Sequence, residues 1–129
     1  MAQPGAVNTI RLYGSGSATA NGVAQIIIPS KTRLRGVQCA TSLDCSTDNG
    51  MAIIEVSRSS SKEIQVNGSQ QAIVEVQLYN NFVTSGMSAP NFNGFLPCDV
   101  SVNQGQIIYL HAVVTGTMNY YATFIIHYA

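Results

Sequence analysis

The sequence predicts an all-β fold, a two-sheet antiparallel sandwich of the jelly-roll kind with about eight strands. Three observations carry that expectation. Four Asn-Gly dipeptides, Asn21-Gly22, Asn49-Gly50, Asn67-Gly68 and Asn93-Gly94, punctuate the chain, and Asn-Gly suits tight hairpins because both residues tolerate positive φ. The runs between them are short and rich in Val, Ile, Thr, Tyr and Phe, which pack well on a pleated surface. No stretch repeats apolar residues at i, i+3, i+4 and i+7, the spacing of an amphipathic helix.

Each strand is placed by its punctuation. The first, residues 8–13, ends at the expected turn Gly14-Ser15-Gly16, and the second, 23–28, follows Asn21-Gly22. A third is expected at 34–41, and a fourth, 51–58, follows Asn49-Gly50. A short strand at 63–66 runs into Asn67-Gly68, and another follows at 72–79. Asn93-Gly94 opens 95–102, Gly105 precedes 106–115, and Gly116 separates that run from 118–128. Eight or nine strands over this length fit a two-sheet sandwich. An immunoglobulin-type sandwich fits less well, since the chain has no tryptophan and no Cys…Trp…Cys pattern. The expected organisation is a loose arm at 1–7, one domain at 8–129, and a longest loop at 80–94.

The last two runs predict a hairpin centred on Gly116. In that register Val114 faces Met118, Leu110 faces Ala122 and Ile108 faces Phe124, so the even positions form one apolar core face. The odd positions carry Ile107, Tyr109, His111, Val113, Tyr121, Thr123, Ile125 and His127. That second face is neither charged nor fully polar, whereas a solvated antiparallel sheet alternates cleanly with Lys, Glu and Thr. A subunit interface through Ile107, Tyr109, His111, Tyr121 and Ile125 is therefore expected.

Composition points the same way. Charged residues make up 9% of the chain, against roughly 25% for an ordinary soluble domain. From residue 64 onward there is no Lys or Arg, and the only carboxylates are Glu75 and Asp99. Little charge is left to keep copies apart, which implies a surface covered by other protein. No apolar run approaches the roughly 20 residues of a membrane-spanning helix, and nucleic-acid binding would want a broad basic face that is missing. The opening Met-Ala-Gln-Pro-Gly has neither the charged nor the apolar region of a signal peptide. Cys39, Cys45 and Cys98 are then expected to be reduced, small buried hydrophobes.

Searching for chemistry yields little. The two histidines, His111 and His127, lack the close spacing of a metal pair. No glycine-rich loop opens a helix, and no serine sits on a strand-to-helix elbow. Asp44 and Asp48 read as a solvated turn rather than a calcium loop. No enzyme activity, cofactor or metal is expected. One charge cluster carries a hypothesis: alternation puts Lys31, Arg33 and Arg35 on one side of a strand, in steps of about 7 Å. Such a stripe either docks on an anionic partner or pairs with Glu55, Glu63 or Glu75 on neighbouring strands.

The segment from Val100 to Thr117 reads Val-Ser-Val-Asn-Gln-Gly-Gln-Ile-Ile-Tyr-Leu-His-Ala-Val-Val-Thr-Gly-Thr. It resembles the closing strands of small phage virion jelly rolls, in which a glycine turn precedes an Ile-Tyr strand as Gly105 precedes Ile108 and Tyr109 here. With its low charge and Ser/Thr/Asn/Gly-rich strands, the whole chain resembles a tailed-phage capsid decoration (cement) protein. That resemblance implies a homotrimer on the virion surface, clamping neighbouring copies of a major capsid protein. The alternative is a glycan-binding, lectin-like or receptor-binding jelly roll of a fibre or tail tip. A trimeric signalling jelly roll of the tumour-necrosis-factor type shares the architecture but is disfavoured by the expected lack of a signal or anchor segment.

Overall fold

A computed structural model describes residues 8–44, 50–62, 71–80, 91–116 and 118–129. The described residues form eight strands: β1 (Asn8–Gly16), β2 (Ala20–Ile27), β3 (Thr32–Asp44), β4 (Gly50–Ser57), β5 (Ala72–Asn80), β6 (Asn91–Val102), β7 (Ile107–Thr115) and β8 (Asn119–Tyr128). They build two four-stranded sheets, ordered β1-β8-β3-β6 and β2-β7-β4-β5, with every paired ladder antiparallel. This is the expected sandwich, and its strand order is that of a jelly roll, two interlocked Greek keys. No helix among the described residues is long and apolar enough to cross a membrane.

The chain changes sheets at every connection except β4 to β5, the one pair of consecutive strands that share a ladder. The hairpin expected around Gly116 is therefore corrected. β7 pairs with β2 and β4, while β8 pairs with β1 and β3. The parity nevertheless holds. Ile108, Leu110 and Ala112 of β7 and Tyr120, Ala122, Phe124 and Ile126 of β8 are all buried in the core. They meet across the sandwich instead of along a ladder. Alternation fixes which side of a strand is buried, and a corner between sheets preserves that side just as a hairpin does.

The turn assignments need the same correction. Asn21-Gly22 lies inside β2, where the ladder to β7 shifts register between Ala20 and Ala24. Gly22 does adopt φ 61°, so the dipeptide supplies positive φ to a bulge rather than a hairpin. Gly14-Ser15-Gly16 continues β1, and Asn93-Gly94 lies within β6, which shortens the expected 80–94 loop. Gly116 is a turn glycine as expected, with φ 86°. The arm at 1–7, the strand at 63–66, Asn67-Gly68 and Cys45 lie outside the described residues.

The long central β3 holds its sheet together, with β8 on one side and β6 on the other. Leu34, Val37, Cys39, Thr41 and Leu43 point inward and are buried. Opposite them Ala52, Ile54 and Val56 of β4 and Val74, Val76 and Leu78 of β5 close the core. Phe124 sits at its centre, in register with both Leu12 and Cys39. Phe124→Ala is expected to cost about 3–5 kcal/mol of stability, whereas Ile125→Ala, one step along on the outward side, costs about 1 kcal/mol or less. Urea unfolding of the two variants checks the parity directly.

Candidate functional site

The registers define the outer face of the β1-β8-β3-β6 sheet as four rows of four outward side chains. The rows are Ser15, Tyr121, Ser42 and Asn91; then Tyr13, Thr123, Ala40 and Asn93; then Arg11, Ile125, Gln38 and Phe95; and last Thr9, His127, Gly36 and Pro97. Arg11 is the only ordinarily charged residue among them. Tyr13, Phe95 and Tyr121 are 65%, 52% and 48% exposed, so the face carries aromatic rings where a water-facing sheet carries Lys and Glu. Arg11 itself lies over the Tyr13 ring, 5.4 Å from its centroid, a cation–π contact that leaves the apolar stem along the sheet.

At one end of this face Phe95 folds flat across the strands. A Cβ on Gly36 would lie 2.0 Å from the Phe95 Cζ, so the ring occupies the space that glycine leaves open. Its edge meets the His127 ring at 5.3 Å and 87°. Beneath it the His127 Nε2 is buried without a hydrogen-bond partner among the described residues. Nearer the other end, Tyr121, Ser42, Asn91, Asn93, Ala40 and Thr123 surround a shallow groove of about 280 Å³.

Beyond Pro97 comes the basic stripe. Lys31, Arg33 and Arg35 are exposed, as the alternation predicts, but the carboxylate that reaches the arginines is Asp99 of β6. The Arg33 guanidinium donates to Asp99 Oδ1 at 2.8 Å, and that of Arg35 lies 3.6 Å from the same oxygen. Two cations therefore share one anion, leaving the trio net positive. The chain end is fastened beside them: the Ala129 amide donates to the Arg33 carbonyl at 3.1 Å, and the Thr32 hydroxyl donates to the Ala129 carbonyl. Of the alternative acidic partners, Glu55 is buried in the opposite sheet and Glu75 bonds Gln77 there, while Glu63 lies outside the described residues.

The other outer face, of β2-β7-β4-β5, is partly closed over. Ile53, Glu55 and Ser57 of β4 and His111 of β7 are fully buried although their positions point away from the core. Part of the cover is the chain after β4. Ser59 places its carbonyl 2.7 Å from His111 Nε2, and the Lys62 amide donates to Asn21 Oδ1 at 2.7 Å, so residues 58–62 run from β4 over β7 to β2. The Gly22 amide donates to His111 Nδ1 at 2.8 Å. That bond assigns the imidazole as the Nε2–H tautomer, donating to Ser59. Tyr109 stacks on the ring at 5.7 Å and 14°.

The five expected interface residues are thus divided. Ile107, Tyr109 and His111 lie on the strapped face, and Tyr121 and Ile125 lie on the open one, on opposite sides of the molecule. His111 and His127 are separated in the same way. His111 is a structural clamp between the β2 bulge and the 58–62 strap. Its burial was not readable from alternation, because the strap comes from a distant loop. Both described thiols are shielded: burial pushes Cys39 up to about 11, and burial, then neighbouring Asp99, raises Cys98. Among the described residues no three His, Cys, Asp or Glu side chains converge on one point.

No protein-family model matches the chain, and no curated protein matches it. Among solved structures, a similar chain belongs to the structure of infectious bursal disease virus Gx strain, with 12% identity and a TM-score of 0.37. The alignment covers 95% of this chain and 31% of that one, so this chain spans about a third of that neighbour's length.

His111→Phe keeps the stacking surface but strips two backbone groups of their partners. It is expected to cost about 2–6 kcal/mol, at about 1–3 kcal/mol for each of the two groups left unpaired. Hydrogen exchange should show the Gly22 and Lys62 amides losing protection together while the β3 and β8 amides keep theirs.

Proposed function

We propose that this chain is a non-enzymatic structural subunit of a virion, a capsid decoration protein that associates with copies of itself and with a major capsid protein on the shell. The observation that carries the reading is the open outer face of β1-β8-β3-β6, where one ordinarily charged residue stands among four rows of outward positions. A face of this kind gains by being covered. Its aromatic rings and half-buried Ile125 give up unfavourable contact with water on docking, and within those four rows only Arg11 has to be desolvated. The rigid sandwich beneath holds that surface in one shape, so little ordering cost offsets association. The resemblance of the Val100–Thr117 segment to phage virion jelly rolls supplies the setting.

A second reading has its own observation. The groove at Tyr121 combines an aromatic ring with the amides of Asn91 and Asn93 and the Ser42 and Thr123 hydroxyls, groups that suit a glycan as well as a protein. In that reading the chain is a lectin-like or receptor-binding module, and Tyr121→Ala abolishes hits on a glycan array while leaving the fold intact.

The deciding experiment is absolute mass by light scattering after size exclusion, followed by sedimentation with phage heads. The decoration reading expects a multiple of 13.7 kDa that persists on dilution and co-sediments with the particles. A stable monomer that stays in the supernatant, with reproducible glycan binding, would replace it by the second reading.

A further inference from the structure

The outward residues of the open face are arranged symmetrically about one row. Leu12, Phe124, Cys39 and Gly94 lie in register across the four strands. On each side of that row the face presents matched positions: Gln38 and Ala40 on β3, Ile125 and Thr123 on β8, and Phe95 and Asn93 on β6. A large side chain stands opposite a smaller one in every case. Further out on β3 the charges are opposite in sign. Asp44, exposed at the end of the strand, lies five residues beyond Cys39, and Arg35 and Arg33 lie four and six residues before it.

From this layout we propose that a second copy of the chain docks on this face, with a two-fold axis lying in the interface along the Leu12–Phe124–Cys39–Gly94 row. The inference rests on the association reading above and names its surface, symmetry and register. Rotation about that axis lays each β3 antiparallel on its mate and brings Asp44 of one copy to the Arg33–Arg35 pair of the other, at both ends of the interface. Asp99 satisfies only part of those two guanidinium groups, so the second carboxylate completes the charge balance. Each Gln38 falls on the small Ala40 position, beside the groove, and each Arg11 meets the Tyr13 ring of the second copy. Tyr121 of one copy lies over the His127 position of the other, three residues to either side of Phe124.

The size is sufficient. Four strands at ~4.8 Å spacing and ten residues at ~3.4 Å give a footprint of ~650 Å², or ~1,300 Å² for the pair, within the range of specific interfaces. The contact is a face-to-face stack of two sheets with their strands aligned. It is isologous, so it closes at two copies.

The test is charge exchange read by light scattering. Asp44→Arg alone and the Arg33→Asp/Arg35→Asp double variant alone each place like charges at both ends, and each is expected to weaken pairing at least about tenfold. An equimolar mixture of the two variants restores opposite charges at both ends and should return a species of twice 13.7 kDa. Ala40→Arg, on an exposed position beside the axis, should abolish pairing without touching the charged ends, which guards against misfolding of either charge variant. Circular dichroism checks each fold. An oligomer that survives all three variants, or a wild-type trimer, overturns this interface while leaving self-association standing. A wild-type monomer at every concentration overturns both.

Discussion

The period of two along a strand is the constraint on which this molecule depends. Every core position in β3, β7 and β8 is spaced two residues from the next, apart from the bulge between Leu34 and Gly36. Shifting one of these strands by a single residue would put Phe124 or Leu110 into water and bring Ile125 or His111 inside. Because β3 lies between β8 and β6, and β7 between β2 and β4, each central strand fixes the register of two others. The connections then have only to cross from one layer to the next, and six strands are positioned by faces before any turn is considered.

This explains which parts of the fold were legible in the sequence. Alternation at Ile108, Leu110, Ala112, Tyr120, Ala122 and Phe124 identified the core because burial is a property of a single strand. Pairing is a property of two strands, and nothing in residues 107–128 distinguishes a hairpin from a corner between sheets. At Asn21-Gly22 the Asn-Gly rule failed for a related reason. Gly22 does need positive φ, but a bulge makes that demand as well as a turn, and the dipeptide does not record which. The basic stripe was readable at the start of β3, since Lys31, Arg33 and Arg35 are local. Its partner was not, because Asp99 comes from a strand sixty-odd residues away that only the topology brings alongside.

The same division separates the two outer faces. In sequence, β7 and β8 present similar odd positions, a mixture of Ile, Tyr, His and Val or Thr. The structure gives them opposite fates. Over β7 the 58–62 strap and the bulge at Gly22 reach His111 from two sides, and each imidazole nitrogen has one backbone partner. A buried polar ring is tolerated there because both its donor and its acceptor are used. Over β8 no such strap is found among the described residues, and His127 keeps a buried nitrogen without a partner. Among the described residues, backbone thus covers one charge-poor face and leaves the other open.

The placement of charge then discriminates between two ways of associating. The strands at the sheet edges are β1, β2, β5 and β6, and an unprotected edge invites another strand to add to the ladder. Three of these four carry one charged residue each, Arg11, Glu75 and Asp99; of the interior strands, β7 and β8 in the C-terminal half carry none, while β3 and β4 hold Arg33, Arg35, Asp44 and Glu55. The fourth, β2, is interrupted by its bulge, and β6 also contains Pro97, which has no amide to donate. The few charges in the C-terminal half are therefore spent where edge-to-edge growth would begin. Face-to-face contact escapes that penalty, because the rows of β8 offer Tyr121, Thr123, Ile125 and His127 with no Lys, Arg or carboxylate among them. Edge growth is open-ended and leads to aggregates, whereas a two-fold face contact closes on itself. On the association proposed above, a chain with so little charge would stay discrete by blocking the first mode and permitting the second.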